Sequence, residues 1–186
     1  MIQTVFATAP HPKGVALGSG NKLPWARIPQ DMKNFASRTS SSDPGIDSYV
    51  IMGPKTFMGM PKLKNRISVI IINSPSIRIR SLDGILPDMI YRISPDRYDL
   101  LEDVCRDLED GKNLISIIGG KKLIEEGVKI SDQVIHTNIL APIINEPDVF
   151  ISDNTMDELS RMTPTNVRST KVDNGLIIEE ILISDP

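Results

Sequence analysis

A chain of 186 residues, 40% apolar and 24% charged, can bury one full-sized core, and these proportions are those of an ordinary globular domain rather than a disordered or fibrous one. Its 21 Lys and Arg against 24 Asp and Glu leave a net charge of -3 with neither sign gathered in a block, which argues against nucleic acid as a partner. No apolar run nears the roughly 20 residues that span a bilayer, "MIQTVFATAP" lacks the basic start of a secretion signal, and Cys105 is the single cysteine, so we expect one domain over 1–186 in a cytoplasm (a host's, for a viral chain), with no membrane, disulfide or thiolate metal site.

Five short runs rich in Val and Ile read as strands: "TVFATA" (4–9), "YVIMG" (49–53), "RISVIII" (66–72), "LISIIGG" (114–120) and "QVIHTNI" (133–139). They alternate only weakly, as strands do when both faces are buried. Helical patterns separate them at 29–38 behind Pro29, in a short turn at 54–59, at 95–110 from Ser94-Pro95 to Gly111, and at 120–126 before Gly127. The Ser-rich stretch 37–48 reads as a polar connection. In the tail, "MTPTNVRSTKV" and "LIIEEILIS" flank "DNG", a turn that suits a two-residue hairpin. Strands alternating with helices, then a hairpin, predict an α/β sheet covered on both faces and ending in an antiparallel edge.

Two strand-to-helix junctions carry phosphate chemistry. "SIIGGKKLIEEG" sets a Gly pair, Gly119 and Gly120, at the start of a helix, where backbone N–H groups and the positive helix end converge. The turn "VIMGPKTF" adds Gly53, the cation of Lys55 and the hydroxyl of Thr56. Ligands of open α/β sheets sit beyond the carboxyl ends of strands, so two such turns suggest a dinucleotide. In "LPWARIPQDMKNF", Asp31 and Phe35 share a helix face with Met32 beside them. A carboxylate among apolar walls should have its pKa raised and can pair with a flat, nitrogen-rich ring. His11 and His136 lack metal-ligand spacing, and Met52, Met58 and Met60 read as core and pocket lining.

Taken in order, "ALGSGNKLPW", "PQDMKNF", "VIMGPKTF", "KNR", "SIIGGKKLIEEG", "VIHTNI" and "PDVF" resemble the dihydrofolate reductase family over most of the chain. The resemblance implies a mostly parallel eight-stranded sheet with an antiparallel C-terminal hairpin edge and helices on both faces. It implies NADPH-dependent reduction of 7,8-dihydrofolate to tetrahydrofolate, a role in one-carbon and nucleotide metabolism, binding of folate and antifolates, and a monomer, with a dimer as the alternative. By it, Val5, Phe6, Ala7, Met32, Phe35, Met60, Leu63 and Arg66 line the substrate pocket, Arg66 holding the glutamate carboxylate. Asp31 becomes the pterin-binding carboxylate, with Thr137 bonded to it, Trp25 ordering a water beside it, and Leu23 in the loop where bacterial members often carry Met. The cofactor residues implied are Ala7, Leu17, Gly18, Asn21, Gly53, Lys55, Thr56, Ile118, Gly119, Gly120, Lys121, Lys122 and Leu123.

Three departures from the family pattern stand out. One extra residue lies between Trp25 and Pro29, so the loop there must bulge; this and the Ser-rich stretch resemble divergent members from large bacteriophages. Pro54 replaces a basic residue near the adenosine 2′-phosphate, leaving Lys55, Asn73, Ser74, Arg78 and Arg80 as substitutes and the choice of NADPH over NADH open. Ile124 stands in place of a Tyr near the nicotinamide. Two other functions remain as alternatives: a pyrimidine reductase of riboflavin synthesis, against which Asp31, Trp25 and Arg66 speak together, and a non-catalytic nucleotide-binding or assembly protein on the same fold.

Overall fold

The computed structural model describes residues 1–74, 78–92 and 100–184. Six parallel strands form the body of the sheet: β1 (Ile2–His11), β3 (Ser48–Met52), β4 (Ile67–Ile72), β5 (Met89–Arg92), β6 (Leu114–Gly119) and β7 (Gln133–Leu140). The antiparallel hairpin of β9 (Thr163–Val172) and β10 (Gly175–Ile183) closes one edge, giving the eight-stranded path β5-β4-β3-β6-β1-β7-β10-β9. Two short strands, β2 (Gly14–Gly18) and β8 (Val149–Ile151), pair with each other and, through β2, with β1. They raise the count to ten, two beyond the expected eight.

The weak alternation of the inner strands has a direct cause. Ile51, Val69, Ile71, Ile115 and Ile117 point to one face, where Leu101, Val104, Cys105 and Leu108 of α3 (Leu100–Leu108) cover them. Val50, Met52, Ile70, Ile72 and Ile118 fill the other with Val5, Ile135 and Phe57 of α2 (Pro54–Met58). Each parity therefore needs an apolar side chain, and a parallel sheet with both faces covered reads as a continuous hydrophobic run. The part of the expected 95–110 helix that precedes α3, 95–99, lies outside the described residues.

Helix α1 (Pro29–Thr39) begins at the predicted Pro29 and ends where Thr39 Oγ1 and Ser40 Oγ donate to the carbonyls of Phe35 and Ala36. These hydroxyls satisfy late helix carbonyls, so the Ser-rich stretch starts inside the helix and the connection is 40–47 rather than 37–48. Helix α4 (Lys121–Ile130) does not stop at Gly127 as expected but runs through it. A Cβ there would lie 2.4 Å from Thr4 Oγ1 and 3.1 Å from Ile117, so Gly127 is what lets α4 sit down on the sheet. Helix α5 (Asp153–Ser160), capped by Ser152 accepting from the Thr155 N–H, completes the layer over β2 and β8 through Leu159 and Met156.

Candidate functional site

Because the body strands run parallel, their carboxyl ends share one edge, and the two Gly turns meet there. The Gly53 N–H donates to the Gly119 carbonyl at 2.9 Å, joining the end of β3 to the end of β6. Gly119 has φ +151°, and a Cβ on it would lie 3.1 Å from Thr56 Oγ1, so glycine permits this close seam. The Gly119-Gly120 peptide is cis. Helix α4 starts from Gly120 without a side-chain cap, leaving its first N–H groups and positive end directed at the seam.

The other cofactor candidates divide by location. Lys55 is exposed beside the seam and Thr56 touches it, whereas Lys121 and Lys122 lie within 4.0 and 3.8 Å of Glu125 and Glu126. The Leu123 side chain is committed to the core under α3, and only its backbone N–H remains in the first turn of α4. Ile118 is buried on the α1 side of the sheet. Asn73 and Ser74 follow β4 at the same edge, while Arg80 is turned toward its own loop, donating to the Gly84 carbonyl at 2.8 Å.

Asp31 occupies the first turn of α1, and the pKa of its carboxyl is lifted to about 6, first by burial and then by the negative charge of Glu179. No hydrogen-bond donor reaches it among the described residues. Below it, Ala7, Thr137 and Glu179 stand in one register row across β1, β7 and β10. Thr137, expected to bond the carboxylate, is buried in this row on β7 and makes no direct hydrogen bond to Asp31 among the described residues. Phe6 is a correction, because its side chain points to the opposite face, 5.0 Å from the His136 ring and packed with Ile124 and Leu159. Val5 and Phe35 share the Asp31 side in one apolar cluster, Ala7 joins Trp25 in the next, and the buried Trp25 Nε1 has no acceptor among the described residues.

Sequence reasoning overlooked two charged residues here. Glu179, 3% exposed, receives Arg38 from the last turn of α1, with Nη2 at 2.6 Å and Nε at 3.3 Å. The bond to Glu179 holds the Arg38 guanidinium above its usual pKa. An acid inside "LIIEEILIS" was the available signal, since a carboxylate on a buried strand needs a partner.

The segment 18–24 is tied back on itself and onto 144–148. Ser19 and Lys22 exchange backbone bonds, the Gly20 N–H donates to Asp148 Oδ1 at 2.9 Å, and Asn145 Nδ2 donates to the Leu23 carbonyl. Asn21 sits against Gly59, where a Cβ would come 3.1 Å from its carbonyl oxygen. Gly18 anchors the start by accepting from the Asp148 N–H; Leu17 is half-buried against the Phe6 cluster, and Leu23 is exposed. The extra residue of the 26–28 bulge is accommodated by Arg27, whose Nε donates to Met32 Sδ at 2.9 Å.

Across the cleft, Met60 and Leu63 lean on the Phe57 cluster. Arg66 donates to Thr39 Oγ1 at 2.8 Å and to the Lys64 carbonyl at 3.0 Å, and its burial lowers the guanidinium pKa. These bonds hold the guanidinium between α1 and the 60–66 segment, with donors to spare for a carboxylate.

Comparison with known proteins gives concordant matches. The family described as "Dihydrofolate reductase" matches residues 1–174. A dihydrofolate reductase of Schistosoma mansoni is 28% identical over 167 residues, covering 86% of this chain and 84% of that protein. One from Cryptococcus neoformans is 42% identical over 76 residues, 37% of this chain and 32% of its own. The solved structure of dihydrofolate reductase from Enterococcus faecalis, complexed with NADP(H) and RAB-propyl, superposes with a TM-score of 0.71 at 20% identity, covering 100% of this chain and 97% of that one.

Proposed function

Because this chain belongs to the dihydrofolate reductase family, we propose that the cleft between α1 and the strand ends binds 7,8-dihydrofolate with its pterin ring on Asp31, and that Asp31 supports protonation of N5 while C6 is reduced. The observation that carries this reading is a partly buried carboxylate with no hydrogen-bond donor among the described residues and a pKa lifted to about 6, in a fold whose β3 and β6 ends form a paired glycine seam.

The seam fits a dinucleotide such as the NADP(H) of the Enterococcus enzyme. Gly119 and Gly53 bring two backbones together, Lys55 and Thr56 add a cation and a hydroxyl, and the uncapped start of α4 presents N–H groups suited to phosphate. NADPH, when bound, supplies the hydride that C6 accepts.

The chain's own residues do the rest. Val5 and Phe35 give the pterin an apolar slot, which keeps the Asp31 carboxyl partly protonated near neutral pH. That group can donate a proton toward N5, directly or through a water held by the orphan Trp25 N–H. Segment 18–24, bonded to 144–148, limits bulk water over the ring, and Arg66 takes the glutamate carboxylate at the far end.

The test is loss of NADPH absorbance with purified protein and dihydrofolate, with NADH and Asp31→Asn in parallel. Rapid oxidation by the native chain and turnover about 10² to 10⁴ lower in the variant is the expected result, the usual span for losing general-acid help. Equal turnover by the variant would remove Asp31 from the chemistry, and the NADH trace reads how much the 2′-phosphate contributes.

A further inference from the structure

Strands β4 and β5 are parallel neighbours, so the chain must cross from one end of the sheet to the other between them. The described parts of this crossover, 73–74 and 78–88, form no helix or strand. The 78–88 part lies along the 60–66 segment, the wall that carries Met60, Leu63 and Arg66, and it is bonded there at successive points. The Leu82 N–H donates to the Met60 carbonyl at 2.9 Å, the Lys62 N–H to Asp83 Oδ1 at 3.0 Å, and Lys62 Nζ to Asp88 Oδ1 at 2.5 Å. Asp88 is itself fixed to β4, its Oδ2 accepting from both the N–H and the hydroxyl of Ser68 at 2.8 Å. Asp83 is fixed by Ser81 Oγ at 2.5 Å, and Ile79 is buried in the cluster that supports Met60 and Leu63.

Two exposed acids here both bond one lysine, Asp83 through its backbone N–H and Asp88 through its ammonium, and that lysine immediately precedes Leu63. Exposed ion pairs contribute little by themselves. This one is part of a connected set in which one backbone carbonyl, one backbone N–H and one ammonium of the wall are all taken by the crossover. Both carboxyls are held below the usual range: Asp83 by the bonds from Ser81 and Lys62, and Asp88, against the opposing effect of its burial, by the bonds from Lys62 and Ser68. The connection therefore stays ionised through neutral pH.

Resting on the reading of Arg66 and Leu63 as contacts to the tail of the substrate, we propose that 79–88 is a strap that positions the tail wall, with Asp83 and Asp88 acting through Lys62 as positioning residues for the p-aminobenzoylglutamate end of folate. The hydrogen bonds of the strap reach neither Asp31 nor the glycine seam; only Ile79 enters the cluster that also holds Val5 and Phe35, and the variants below leave it in place. Loosening the strap should weaken recognition of the tail and leave reduction of the ring untouched.

The experiment compares dihydrofolate with a dihydropterin that carries a methyl group in place of the tail. In Asp88→Asn and Lys62→Met, and in Asp83→Asn as an independent third variant, we expect KM for dihydrofolate to rise about three- to tenfold with kcat within about twofold, the size of losing one or two charge-assisted bonds. KM for the tail-less substrate should stay unchanged. Folate binding without cofactor, followed by quenching of the single Trp25, should weaken by the same factor. Equal loss on both substrates, or no loss on either, overturns the strap. Arg66→Leu separates the two ideas: if it discriminates between the substrates and the strap variants do not, the strap fails alone, and if Arg66→Leu does not discriminate, the assignment of the tail wall fails first.

Discussion

Asp31 places stability and chemistry in opposition. Its carboxyl titrates at 3.8 when free and at about 6 in the folded chain, so folding is penalised by the ionised form. Below about pH 4 the group is protonated in both states and the penalty is absent; it grows between 4 and 6 and is complete above that. A shift of this size at a partly solvated site corresponds to about 2 kcal/mol. We therefore expect Asp31→Asn to raise the melting temperature at pH 8 and leave it unchanged at pH 4, while it lowers turnover. Melts at the two pH values check this; an equal shift at both would show that burial does not strain the carboxylate. Turnover of the native chain should also decline above about pH 6 as the proton leaves, and that limb should vanish from the pH profile of the variant. The position of Asp31 was legible in sequence because helix spacing alone places it beside Phe35. Glu179, which adds to the effect, was not, since it comes from a strand whose register with β7 is a long-range property.

Helices and strands show where local pattern is sufficient. The inner strands were readable because both of their faces demand apolar residues, whereas β2, β5, β8 and α5 were not anticipated, being short or carrying too few apolar residues to signal a period. Gly127 looked like a helix stop and proved to be a contact point. Gly127→Ala should gain helix propensity of about 1 kcal/mol and yet destabilise the protein by about 2 kcal/mol or more, because the new Cβ meets Thr4 on a buried strand. Denaturant unfolding decides the sign, and a net gain would mean that α4 can shift away from the sheet without loss. In segment 18–24, Asp148→Ala removes the acceptor of the Gly20 N–H. Amide exchange at 18–22 should quicken while α4 stays protected; unchanged protection would show that the other bonds suffice to hold the segment.

For the molecule as a whole, acid should act through His136 in the sense opposite to Asp31. Burial pushes the His136 imidazole down to about 4 from 6.5, and the neutral ring is held 2.7 Å from Thr8 Oγ1 behind Phe6. The depressed pKa means that stability is intact above about pH 6.5 and is lost as pH falls toward 4, by about 3 kcal/mol at most. His136→Gln should flatten this acid slope between 6.5 and 4, as read from unfolding free energies across that range; an unaltered slope would place the acid sensitivity elsewhere.

By itself the sequence determined the family, through an ordered set of motifs, and with it the α/β class, the two glycine turns and the helix that carries Asp31. Each of these depends on residues close together along the chain, where spacing, turn chemistry and apolar pattern act directly. The tertiary structure alone decided which face Phe6 takes, that Arg38 meets Glu179 across 141 residues, and that two acids after β4 reach back to Lys62. Those outcomes depend on strand register and on the path of a crossover, which are settled by packing the whole sheet at once and leave little trace in any local stretch.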